Sequence, residues 1–98
     1  MKEMVDRFDR EIKRGNWIVH TFYSDLRPAL VLRQTPTGIR VVTLRLKKIY
    51  DSGGWRWGYR PREYYLYNSS RCLVVPIDII PGDIVYALYS HYPLLEDA

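Results

Sequence analysis

Apolar residues Met4, Val5, Phe8 and Ile12 recur at three- and four-residue intervals near the start of the chain. That spacing predicts an amphipathic helix over 2–13, within an N-terminal segment 1–14. Glu3–Arg7, Asp6–Arg10 and Asp9–Lys13 are i,i+4 pairs with the acid first, the better orientation on a helix. Lys13 and Arg14 suit the negative end of the helix dipole, and Gly15 suits a left-handed cap.

From Asn16 onward the pattern is that of strands. Residues 17–23 (WIVHTFY) are β-branched and aromatic, and Ser24-Asp25 is a stop signal. Residues 29–33 predict a second, short strand after Pro28, and 35–38 (TPTG) a hairpin turn. Over 39–50 the residues alternate, with Val42, Leu44 and Leu46 on one face and Val41, Thr43, Arg45 and Lys47 on the other. A turn at 51–54 (DSGG) leads into 55–62 (WRWGYRPR), where an extended chain puts Trp55, Trp57 and Tyr59 opposite Arg56 and Arg60. Residues 64–67 predict a further strand. The apolar run 72–80 predicts core, with Pro76 pointing to an edge or bulge. Residues 84–89 fit a short helix behind Asp83 or a strand equally well.

A helix followed by about five strands with short turns predicts a mainly β fold, a small, strongly bent sheet or partly open barrel. At 98 residues the chain is one domain, 1–98, with a β barrel core over 16–80 and a short helix or strand plus tail over 81–98. Its composition, 47% apolar and 27% charged, is that of a soluble globule. With no membrane span and an N-terminus too charged for a signal peptide, the expected location is cytoplasmic. The scarcity of Asn and Gln (Asn16, Asn68 and Gln34) leans toward a thermophile source.

Charge changes the picture more than composition does. Residues 31–62 carry eight basic side chains against Asp51, whereas 63–98 carry Arg71 against five acids. A strongly basic middle predicts a polyanion partner, the alternative being that basic and acidic segments neutralise each other in the fold. Within the basic middle, Trp55, Trp57 and Tyr59 alternate with Arg56, Arg60 and Arg62. Unpaired bases stack on such rings, and neighbouring cations neutralise phosphates. The candidate nucleic-acid-binding set is therefore Arg45, Lys47, Lys48, Trp55, Arg56, Trp57, Tyr59, Arg60 and Arg62. The competing reading places the tryptophans in the core and the arginines in solvent.

Metal and cofactor chemistry have no motif here. His20 and His91 lack HxxxH partners, the lone Cys72 lies in the apolar run, and no Walker loop or Gly-x-Ser-x-Gly elbow occurs. A Ser24, His20 and Asp25 set is the kind any small protein permits, and it is rejected. RNA can be cut without metal through its own 2′-hydroxyl, given a cation on the phosphate and a proton carrier. Arg27, beside Pro28, is the candidate clamp, and His20 is the nearby group that titrates near neutrality.

Residues 14–19 (RGNWIV), 27–32 (RPALVL) and 40–43 (RVVT) resemble, in order and approximate spacing, the start of MazF/PemK-type toxins. The resemblance covers about a third of the chain. It implies a homodimeric, SH3-like barrel that cleaves single-stranded RNA without a metal, paired with a small acidic antitoxin-like protein. Carried over, Arg27 contacts the scissile phosphate and Thr43 assists at the neighbouring strand end. The chain departs from the family in its three-residue loop Ser24-Asp25-Leu26, in Asn16 replacing an acid, in its extra N-terminal helix, and in a stretch after Val75 too short for the usual terminal helix. The leading expectation is a barrel that binds nucleic acid, with endoribonuclease activity of toxin type. The alternatives are a non-catalytic nucleic-acid-binding or regulatory protein on the same fold, and a protein-docking module.

Overall fold

The computed structural model describes residues 5–22, 25–67 and 71–95 of the chain. Five strands form one antiparallel sheet: β1 (Trp17–Phe22), β2 (Asp25–Thr35), β3 (Gly38–Asp51), β4 (Gly54–Leu66) and β5 (Cys72–Val75), in spatial order β4-β3-β2-β1-β5. One helix, α1 (Gly82–His91), follows, flanked by 3-10 turns at Ile77–Ile79 and Pro93–Leu95. No helix among the described residues is long and apolar enough to cross a membrane.

The sheet curls but does not close. In a flat sheet β4 and β1, three places apart, would stand about 14 Å from each other. Here Tyr64 of β4 touches His20 of β1, with ring centroids 5.4 Å apart. The inside of the curl holds Ile18, Ala29, Val31, Ile39, Val41 and Cys72, with Ile12 filling in from the N-terminal segment. The opposite face buries Trp17, Leu30 and Val42 beneath Leu88 of α1, Ile80 and Leu95. Trp17 Nε1 donates to the Tyr89 hydroxyl at 3.0 Å, tying the helix to the sheet. Alternation along β3 delivers this two-sided burial: Ile39 and Val41 go one way, Val42 and Leu44 the other.

The predicted N-terminal helix does not form over its described residues, 5–13. Residues 5–11 make a tight loop closed by a Val5–Glu11 bridge, with Asp9 at φ 61°. The Asp6 carboxylate accepts the backbone N–H groups of Phe8 (2.8 Å) and Arg10 (3.0 Å), which a helix would have used for its own ladder. The same carboxylate accepts Val74 N–H of β5 at 2.8 Å, and Arg7 N–H bonds the Cys72 carbonyl at 3.0 Å. The segment thus covers an edge strand that would otherwise be open to pairing. The Asp6–Arg10 pair forms as expected, at 2.9 Å, but across this loop. The apolar stripe is broken as well: Ile12 is buried while Phe8 is 68% exposed. Met4, the Glu3–Arg7 pair and the Ser24 stop signal lie outside the described residues. Gly15 takes the expected positive φ, 88°, in the turn entering β1.

Three boundaries also move. β2 starts at Asp25 rather than Ala29, and 64–66 continue β4 rather than forming a separate strand. The run 72–80 is strand only to Val75; after Pro76, Ile77 and Ile79 sit in a 3-10 turn, both exposed. Residues 84–89 belong to α1, the helical alternative.

Candidate nucleic-acid interface

β3 and β4 pair without interruption from Ile39↔Leu66 to Asp51↔Gly54, but β2 accompanies β3 only as far as Leu30↔Val42. Beyond Val42 the hairpin stands alone as a two-stranded arm. The parting has a chemical cause at Pro28, which has no N–H to offer a neighbouring strand. The Thr43 hydroxyl donates instead to the Pro28 carbonyl, at 2.8 Å, and marks the fork. A two-residue turn at Ser52-Gly53, with Gly54 at φ 110°, closes the tip. The arm gives the molecule extents of 49 × 31 × 25 Å and a radius of gyration of 14.3 Å. A compact chain of this length would have about 13 Å.

Register decides what each face of the arm carries, because directly opposed residues project to the same side. One face takes the pairs Thr43↔Arg62, Arg45↔Arg60, Lys47↔Gly58 and Ile49↔Arg56, and is strongly cationic. The other takes Leu46↔Tyr59, Lys48↔Trp57 and Tyr50↔Trp55. Its rings are open to water: Trp55 is 56% exposed, Trp57 55%, Tyr59 64% and Tyr50 74%. Lys48 Nζ lies 4.8 Å from the Trp55 ring centre and 5.6 Å from that of Trp57. Near the tip Arg56 meets Asp51 at 3.4 Å. The sequence-based division of aromatic and basic residues between faces is the division seen, and neither tryptophan is a core residue.

At the fork, a cavity of about 370 Å³ is bounded by β2, β3, β4 and α1. Arg27, Thr43, Arg45, Tyr59 and Asp83 line it, with Leu44, Leu46 and Ile84 as its apolar part. Two of the three candidate catalytic residues, Arg27 and Thr43, therefore share one cavity. A second groove, of about 520 Å³, passes round the arm between Arg45, Lys47, Lys48, Trp57, Arg60 and Arg62.

His20 stands opposite Arg27 in the β1–β2 register, yet it is only 2% exposed. Its Nε2 meets the Tyr64 hydroxyl and its Nδ1 lies 3.4 Å from the Thr21 carbonyl. With Nδ1 carrying the proton, Nε2 accepts from Tyr64 and the ring is neutral. Burial lowers the His20 pKa below its ordinary value of 6.5, against the pull of the Thr21 carbonyl and helped by the nearby Arg27 charge. The Tyr64 hydroxyl is pushed upward, chiefly by burial. Tyr64 and Asp83 escaped the sequence-based reading of the site. The one becomes significant only because the sheet curls, the other only because α1 packs beside the fork. No local pattern announces either.

Among the described residues no three His, Cys, Asp or Glu side chains gather as metal ligands would. Buried Cys72 has its thiol pKa pushed up to about 11, mainly by burial. Comparisons with protein-family models, curated proteins and solved structures find no match to this chain.

Proposed function

We propose that this curled, open sheet is of SH3-like type, a partly open barrel, and that it binds single-stranded nucleic acid, RNA foremost, through the β3–β4 arm. The observation that carries the reading is the pairing of Lys48↔Trp57 and Tyr50↔Trp55 on an exposed face, backed by Arg45↔Arg60 and Lys47 on the reverse. Bases stack on the rings whatever their sequence, each stack worth about 1–3 kcal/mol. Lys48 stands among the rings on their own face, and the cations of the reverse face add to the positive field that draws phosphates to the arm.

A second, narrower reading is metal-independent endoribonuclease activity of toxin type, favoured by Arg27 and Thr43 lining one cavity at the arm's root. Arg27 would hold the scissile phosphate while the 2′-oxygen, giving up its proton, attacks the phosphorus and the bond to the 5′-oxygen breaks, leaving a 2′,3′-cyclic phosphate and a protonated 5′-hydroxyl. His20 would take part only through Tyr64, whose hydroxyl engages its Nε2.

Both readings are tested by mixing pure protein with long single-stranded RNA in EDTA, wild type beside Arg27→Ala, on denaturing and native gels. A salt-sensitive mobility shift supports binding. Defined cuts that vanish in Arg27→Ala support the ribonuclease. A shift without cuts leaves a binding protein, and neither a shift nor cuts removes both readings.

A further inference from the structure

The cavity at the fork combines groups that a phosphate site alone does not need. Arg27 and Arg45 supply positive charge from two strands, Tyr59 offers an exposed ring, and Leu44 and Ile84 provide apolar contact. Asp83, in the first turn of α1, brings a carboxylate to the same cavity. A carboxylate in that cavity opposes a second phosphate there but accepts hydrogen bonds from N–H groups. The volume of about 370 Å³ lies within the range of small-ligand sites.

We infer that this cavity takes one unstacked nucleotide and that Asp83 selects guanine. The inference rests on the nucleic-acid reading above and names the base that site prefers. The phosphate lies toward Arg27 and Arg45, the base lies on Tyr59, and its Watson–Crick edge meets the Asp83 carboxylate. Single-stranded RNA is commonly read in this way, by stacking together with hydrogen bonds to an exposed base edge. Guanine presents N1–H and the N2 amino group side by side, two donors for the two carboxylate oxygens. Adenine and cytosine present one amino group beside a ring nitrogen whose lone pair faces the carboxylate. Uracil presents a single N3–H between two carbonyl oxygens. Only guanine satisfies both oxygens without a repulsive neighbour. A good bidentate pair discriminates by about tenfold or more.

The test uses fluorescence anisotropy at one fixed salt concentration. Its probes are labelled pentauridylate and the three pentamers carrying G, A or C at the centre. Each is titrated with the full chain and with its Asp83→Ala and Asp83→Asn variants, whose folding is checked by circular dichroism. Asp83 is exposed, so both variants should fold. The expected result is that wild type binds the G pentamer roughly tenfold more tightly than the others, and that the four affinities converge in both variants. Equal binding of all four by wild type, or a G preference that survives Asp83→Ala, overturns the inference while leaving the binding reading in place. If no pentamer binds wild type, the inference and the binding reading fall together.

Discussion

A carboxylate shielded from water needs donors, and Asp6 finds them on three sides: Phe8 N–H, Val74 N–H, and the backbone and guanidinium of Arg10. Burial alone would raise its pKa; those bonds outweigh burial and hold it below the ordinary value of 3.8. Asp6→Ala leaves the Val74 and Arg10 N–H groups unpaired and should destabilise the fold by on the order of 3 kcal/mol, read from urea unfolding. A depressed carboxylate pKa stabilises the folded state above its unfolded value, and that contribution fades as pH falls through the folded pKa. His20 acts higher on the pH scale. Its folded pKa lies below 6.5, so the unfolded chain binds the proton more readily. Stability should therefore be flat above that value and decline as pH drops below it, by at most about 1.4 kcal/mol per pH unit for one proton. Unfolding curves between pH 7.5 and 5 test this, and a rise in stability on acidification would contradict it.

Among the elements, the β3–β4 arm carries the clearest functional expectation. Trp55→Ala and Trp57→Ala should each weaken binding of single-stranded RNA tenfold or more while leaving the unfolding midpoint nearly unchanged, because both rings are half in water. Arg60→Ala should instead lower the slope of log affinity against log salt by about 0.7, the signature of one lost phosphate contact. Gly38 belongs to the body of the sheet. A Cβ there would meet the Leu66 carbonyl oxygen at 2.5 Å, so Gly38→Ala should lower the melting temperature without entering the interface. Strand alternation and turn chemistry made most of this legible from the residues: the 35–38 turn, the tip at 51–54 and the division of Trp and Arg between faces all follow from period two. The N-terminal helix misled because periodicity counts apolar positions and ignores what a buried Asp does to the backbone. The length of β4 was hidden by Pro61, which belongs to no central strand. It is tolerated because β4 has an open edge in the order β4-β3-β2-β1-β5.

For the molecule as a whole, the core and the proposed binding surface sit in different places. The core clusters draw on β1, β2, β5, the first half of β3 and α1, whereas the arm beyond Leu44 is held by its own cross-strand pairs. Isolated hairpins are marginal in water. Limited trypsin digestion should therefore cut first at Lys47, Lys48 or Arg56, and RNA should slow those cuts, as mass spectrometry of the fragments would report. The fork at Pro28 and Thr43 has a mechanical consequence. Arg45, Leu46 and Tyr59 ride on the arm, while Arg27 and Asp83 belong to the body, and the cavity lies between them. The arm is a lever whose short end is one wall of that cavity. A few degrees of bend at the fork would widen or narrow the gap between Arg27 and Arg45, so on the binding proposed above a strand gripped at the tip would set the jaw at the root.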